Sequence, residues 1–184
     1  MIDSTNNIIK QRKRILSPSL SLSYDEPLHI IKGRGQYLYD VEGNEFLDAT
    51  NNIQHVGHCH PKVVHAIQEQ ATRLLHGCAG VVYYDQNITL AEKLCHISGL
   101  ESVFFTQSGA ESVEAALKCA IYVKDKQSVV AFNGSFHGRT MGALSVTTSN
   151  PKYLDRYPLA LPNRQVLEYP NFFKHSAPLN SEDG

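Results

Sequence analysis

No stretch of this sequence approaches the roughly 20 consecutive apolar residues that a membrane-spanning helix needs, so no membrane association is expected. Nor is there a surplus of either charge: 17 basic side chains face 18 acidic ones, for a formal net charge of −1. That balance gives no global pull toward nucleic acid. The one basic run, Lys10-Gln11-Arg12-Lys13-Arg14, is short and reads as a solvated helix end. Cysteine is sparse and scattered. Cys59, Cys78, Cys95 and Cys119 contain no C-x-x-C pair, which argues against a disulfide framework and suits a reducing compartment. The first ten residues lack the apolar core of a secretion signal, and the cytoplasm is the expected location. Neither G-x-x-x-x-G-K-[ST] nor G-x-G-x-x-G occurs, so the common nucleotide-binding signatures are missing.

What is present is an ordinary globular composition in 184 residues, 42% hydrophobic and 19% charged, enough for one domain or two small ones. Residues 1–16 carry Ile8, Ile9 and Ile15 among charges and fit an N-terminal helix; Ser17 to Ser23 reads as a linker. The runs His29–Lys32, Gln36–Asp40 and Glu45–Asp48, separated by Gly33-Arg34-Gly35 and Glu42-Gly43-Asn44, predict a small antiparallel meander. From Pro61 the period lengthens. Val63, Val64, Ile67, Ala71 and Leu74 predict a helix to about Leu75, and a second is expected over Thr89–His96. A β-α-β-like series follows: strand Ser102–Thr106, helix Ala110–Tyr122, strand Ser128–Phe132. A loop over Asn133–Thr140, a short helix near Met141–Val146 and a strand near Gln165–Tyr169 complete it. Strands alternating with helices imply an α/β layer with parallel pairs.

Two loops of this series carry the chemistry. In Thr106-Gln107-Ser108-Gly109-Ala110-Glu111, Ser108 and Glu111 have the S-x-x-E spacing of a capping box, which by itself implies only a well-capped helix. Gly109 and Ala110 add uncovered N–H groups at the positive end of the helix dipole, where phosphate can bind. In Phe132-Asn133-Gly134-Ser135-Phe136-His137-Gly138-Arg139-Thr140, Phe136 offers a flat face to a ring and Arg139 a fork for a carboxylate. Singly, each is more often structural: Phe136 a core residue, His137 a satisfied loop histidine, Arg139 half of a surface ion pair. Both loops are expected at the C-terminal ends of neighbouring strands, where open α/β sheets bind ligands.

Taken together, several segments resemble the class III aminotransferases, fold type I enzymes that use pyridoxal 5'-phosphate (PLP). They are the stretch from Gly35 to Asp48, Gly57-His58-Cys59-His60-Pro61, Val81-Val82-Tyr83-Tyr84, Phe104 to Lys118, and Phe132 to Thr147. The resemblance extends to about Phe172. It implies a partial fold type I architecture: residues 1–60 as helix, linker and meander, 61–175 as the first part of the PLP-binding large domain with a mostly parallel sheet, and 176–184 as a polar tail. It implies that Ser108, Gly109 and Ala110 bind the cofactor phosphate, that Phe136 stacks on its ring, and that His137 and Gly138 shape that loop. Arg139 is implied to bind a substrate carboxylate, and Asn51 to line the substrate pocket. The substrates implied are a small-molecule amino donor, an ω-amino acid or acetylornithine-like, and a keto-acid acceptor such as 2-oxoglutarate. A homodimer is implied for the complete enzyme.

The resemblance also implies what these residues do not supply. Family members are well over twice as long, and the expectation is that this chain is an N-terminal fragment, inactive alone. The aspartate that pairs with the ring nitrogen and the lysine that holds the cofactor covalently find no counterpart here. Lys118 lies about 8 residues along the helix, roughly 12 Å from the phosphate end, and belongs to the helix surface. Three other readings stand beside the aminotransferase one. The segment Asn51 to Pro61 looks like that of related phospho-lyases, but those lack the arginine of F-H-G-R-T. A non-catalytic remnant that keeps PLP binding is a second. The third, a metal module, would use His55, His58, Cys59 and His60, yet adjacent residues cannot all point inward and no further ligand pair completes the site.

Overall fold

A computed structural model describes residues 2–19, 28–50, 55–77, 80–124, 128–158, 161 and 163–170. The chain divides into two compact units, Met1–Asp85 and Gln86–Gly184. In the first, helix α1 (Ile2–Ile15) ends in Arg12, Lys13 and Arg14, cations where the helix dipole favours them. Strands β1 (Ile30–Arg34), β2 (Tyr37–Asp40) and β3 (Glu45–Leu47) form the expected antiparallel meander, in the order β1-β2-β3. Tyr37 stands opposite Leu47, and Leu38 opposite Phe46. The β2–β3 turn is held by Asp40, whose carboxylate accepts the N–H groups of Glu42 and Asn44, both at 2.9 Å, and the Asn44 side-chain amide. That side-chain bond, with burial opposing it, keeps the Asp40 carboxyl below its ordinary value.

Helix α2 (Pro61–Ala71) starts with proline in its first turn, and the His60 carbonyl accepts the Val63 and Val64 N–H groups at 3.0 Å. A proline needs no acceptor for its nitrogen, so this start costs nothing in hydrogen bonds. The helix stops short of Leu75. Thr72 turns its hydroxyl to the Glu69 carbonyl at 2.8 Å and its N–H to the same atom at 3.3 Å, a local bond that competes with the helix ladder. Helix α3 (Asp85–Ser98) is longer at both ends than expected, with Asp85 in its first turn, where a negative charge suits the dipole.

The second unit holds helix α4 (Gly109–Lys124), strand β4 (Val129–Phe132), helix α5 (Met141–Val146) and strand β5 (Arg164–Leu167). β4 and β5 pair in parallel, Val129 opposite Arg164 and Phe132 opposite Leu167. The buried core gathers around α5: Ala143, Leu144, Ser145 and Val146, with Ala131 from β4 and Thr147 just beyond the helix. An unforeseen 3₁₀ turn, Pro151–Tyr153, is capped by the Asn150 side chain, which accepts the Lys152 N–H at 3.0 Å.

One expected element is absent. Residues 102–106 form no strand, and Phe104 is 81% exposed. Valine and two phenylalanines suit a strand, but β structure exists only as a ladder between partners. Among the described residues none lies alongside this segment to form one. The tail from residue 171 lies outside the described residues.

Candidate functional site

Ser108 precedes α4, and its hydroxyl accepts the Glu111 N–H at 3.2 Å, as the capping-box spacing predicts. The return bond is displaced. The Glu111 carboxylate takes the N–H of Gln107, at 2.7 Å, instead of that of Ser108. Thr106 braces the turn by donating to the Ser108 carbonyl at 3.1 Å or sharing a 2.6 Å bond with the Ser112 hydroxyl. The N–H groups of Gly109 and Ala110 have no acceptor among the described residues. A side-chain carbon added at Gly109 would meet nothing within 4 Å. Two N–H donors without acceptors at a helix start, with open space beside Gly109, are chemically suited to an anion.

The second loop comes to this turn through Gly138. That residue is buried, at φ +129°, and a Cβ there would lie 2.6 Å from the Ala110 Cβ and 3.2 Å from that of Ala143. Only glycine permits both the backbone conformation and the approach. Behind the loop, the buried Thr147 hydroxyl accepts the His137 N–H at 3.0 Å and lies within donating distance of the Gly138 and Ala143 carbonyls, at 2.9 and 3.0 Å. Thr148 does the same one step upstream, accepting the Ser135 N–H at 3.0 Å and donating to the Phe132 carbonyl at 2.7 Å.

A carboxylate from α4 fastens the far end of the loop. Glu114 Oε1 accepts the Thr140 hydroxyl at 2.6 Å and the N–H groups of Gly142 and Ala143 at 2.8 and 3.1 Å. It thus caps α5 from another helix, taking the place of a cap from Thr140. The Thr140 bond, opposed by burial and helped by the two amides, holds the Glu114 carboxyl below its ordinary value. There is no room for a larger residue at position 142, where a Cβ would collide with that carboxylate.

Phe136 and Arg139 project from the loop, and both meet Tyr153. The Phe136 and Tyr153 rings are 6.0 Å apart at 72°, an edge-on contact. The Arg139 guanidinium carbon lies 4.3 Å from the Tyr153 ring centre, a cation–π distance. Arg139 is exposed and has no acidic partner among the described residues. Phe136 is 56% exposed, and His137 is half-buried. The arrangement can therefore take an anion at α4, a flat ring beside Phe136 and a carboxylate at Arg139. An open groove of about 850 Å³ runs along α4 between Phe104, Phe105, Ala115 and Cys119.

Ser108, Gly109, Ala110, Phe136, His137 and Arg139 are thus drawn into one region of the second unit, while Asn51 lies outside the described residues. Glu114, Thr147 and Tyr153 were not singled out from the sequence. The Asn150-Pro151 turn signal could have pointed to Tyr153; nothing in α4 marks Glu114 among its other polar residues. In the first unit, His58 Nε2 meets Asp48 Oδ2 at 2.7 Å, and among the described residues no three His, Cys, Asp or Glu side chains gather as a metal site would require. The buried Nδ1 atom of His60 has no hydrogen-bond partner there.

Comparison with known proteins places this geometry in a family. The acetylornithine aminotransferase of Methanosarcina acetivorans is 49% identical over 124 residues, covering 66% of this chain and 31% of that protein. A probable 4-aminobutyrate aminotransferase of Bacillus subtilis is 37% identical over 177 residues, covering 94% of this chain and 41% of that protein. Among solved structures, the adenosylmethionine-8-amino-7-oxononanoate aminotransferase of Methanocaldococcus jannaschii superposes with a TM-score of 0.79 at 30% identity, over 90% of this chain and 41% of that one. The chain spans well under half the length of each. The family model for class-III aminotransferases matches residues 21–182. On that match, which covers most of its length, this chain belongs to the class-III aminotransferase family.

Proposed function

We propose that this chain forms the phosphate-cradling and carboxylate-binding wall of a PLP-dependent aminotransferase. The reaction is transfer of an amino group from an ω-amino acid or acetylornithine-like donor to a keto acid such as 2-oxoglutarate. The observation that carries the reading is the packing of Gly138 on Ala110, which brings the Arg139 loop against two N–H donors that have no acceptor among the described residues.

The donor set fits the cofactor. The Gly109 and Ala110 N–H groups and the Ser108 hydroxyl hold the phosphate; Phe136 covers one face of the ring; His137 and Gly138 keep that loop in place. When bound, PLP supplies the aldehyde and the electron-withdrawing ring that allow an amino group to pass between two carbon skeletons. Arg139 grips the substrate carboxylate through its two-pronged N–H fork, and Asn51 lines the pocket edge. Arg139 is also what sets amino transfer above the phospho-lyase reading, since the phospho-lyases that the Asn51–Pro61 segment resembles lack that arginine. Residues 61–175 are assigned to the PLP-binding large domain and 1–60 to the segment before it. The complete enzyme is a cytoplasmic homodimer.

Binding measurements test the assignment without needing turnover. Gly109→Asp has space for its side chain but sets a carboxylate in front of the free N–H groups, and should weaken PLP binding at least about tenfold by charge repulsion. Equilibrium dialysis giving equal affinity for the variant would remove the phosphate assignment. Arg139→Ala should leave PLP affinity intact and weaken 2-oxoglutarate binding by a similar factor.

A further inference from the structure

The cation of the site is held in an unusual way. Exposed arginines are commonly steadied by an acidic neighbour, and Arg139 has none among the described residues. Its guanidinium rests instead on the ring of Tyr153, 4.3 Å from the ring centre. An acidic neighbour would occupy the N–H fork and compete with an incoming carboxylate. A ring holds the cation and leaves that fork available. Restricting a long, flexible side chain beforehand also removes part of the ordering cost of binding.

Tyr153 is itself well fixed. It ends the 3₁₀ turn Pro151–Tyr153, its N–H bonds the Asn150 carbonyl at 3.1 Å, and the Asn150 side chain caps the turn. The same ring stands nearly perpendicular to Phe136. We propose that Tyr153 is a positioning residue that presets Arg139 for a substrate carboxylate and aligns it with Phe136. The proposal rests on the roles given above to Arg139 and Phe136.

The test uses the protein saturated with PLP, with glutarate as a non-reacting dicarboxylate probe. In ¹⁵N-labelled protein the Arg139 Nε–H resonance, identified by its loss in Arg139→Lys, should show an upfield ring shift. Tyr153→Phe should keep that shift and Tyr153→Leu should abolish it. Glutarate should bind Tyr153→Leu about tenfold more weakly and Tyr153→Phe within about twofold of the original. Tyr153→Met keeps bulk without a ring and gives the same comparison should the leucine variant unfold. Equal glutarate affinity in the ring-less variants, with binding still lost in Arg139→Lys, would overturn the role of Tyr153 and leave that of Arg139 standing. No glutarate binding by the original protein would overturn both.

Discussion

Residues 135–149 and residues 102–107 both adjoin helix α4, and they are held in opposite ways. The first segment is anchored by Thr147 and Thr148 from behind, by Glu114 at its end and by Gly138 against Ala110. The second makes no ladder, and its Phe104 lies open to solvent. The contrast separates two sources of order. Side-chain caps and close packing are completed within this one unit, by residues 10 to 29 positions apart. A strand is specified only by its neighbour.

If that contrast is right, substitutions in the anchored segment should be costly and those in the open one nearly silent. The largest effect is expected at Gly138→Ala, which combines a disfavoured backbone angle with a clash against Ala110. It should lose about 3 kcal/mol in urea unfolding followed by circular dichroism; an unchanged midpoint would show that the two loops are not packed together. Next comes Thr147→Val, which keeps the shape but leaves the His137 N–H and a carbonyl buried without partners, at a cost of about 2 kcal/mol.

Glu114→Gln should have a smaller effect, and one that depends on pH. The folded-state pKa of Glu114 is depressed, so its ionised form stabilises the folded state fully above its ordinary value of 4.5. That contribution disappears as pH falls through the lower folded value. The difference in melting temperature between the original protein and Glu114→Gln should therefore be greatest near neutrality and shrink below pH 4.5. A difference that is flat with pH would mean the carboxylate's charge plays no part in capping α5. Smallest of all, Phe104→Ser should change stability by less than about 0.5 kcal/mol. A loss near 2 kcal/mol there would break the comparison, by showing that the open segment is packed after all.

The elements that could be read from the sequence are those whose determinants lie within a few residues. The meander follows from glycine-bounded alternation, α2 from Pro61 and its apolar period, and the turn into α4 from Ser108 and Glu111. The two loops were also expected in one region, and Gly138 against Ala110 brings them together; the roles of their residues are those the resemblance implies. What escaped depends on where the chain returns. Tyr153 reaches Arg139 only after α5 and a 3₁₀ turn bring it back, and Glu114 is chosen from several polar residues on α4 by the position of α5 alone. Ser102–Thr106 differs in the other direction, since strand composition could be read but the lack of a ladder partner among the described residues could not. Even the capping box was legible only in part: Glu111 reaches Gln107, one residue beyond the expected donor.

The Glu114 bonds to Gly142 and Ala143 join residues 28 and 29 positions apart. Closing a loop of that length costs about 3 kcal/mol in chain entropy by the logarithmic rule, modest against three hydrogen bonds and a buried helix. The turn before α4 and the Phe136–Thr140 loop are therefore joined across a short, inexpensive closure. Substitutions at Glu114 or Gly142 should lower the soluble yield more at high growth temperature than at low, which soluble-fraction measurements at two temperatures would check.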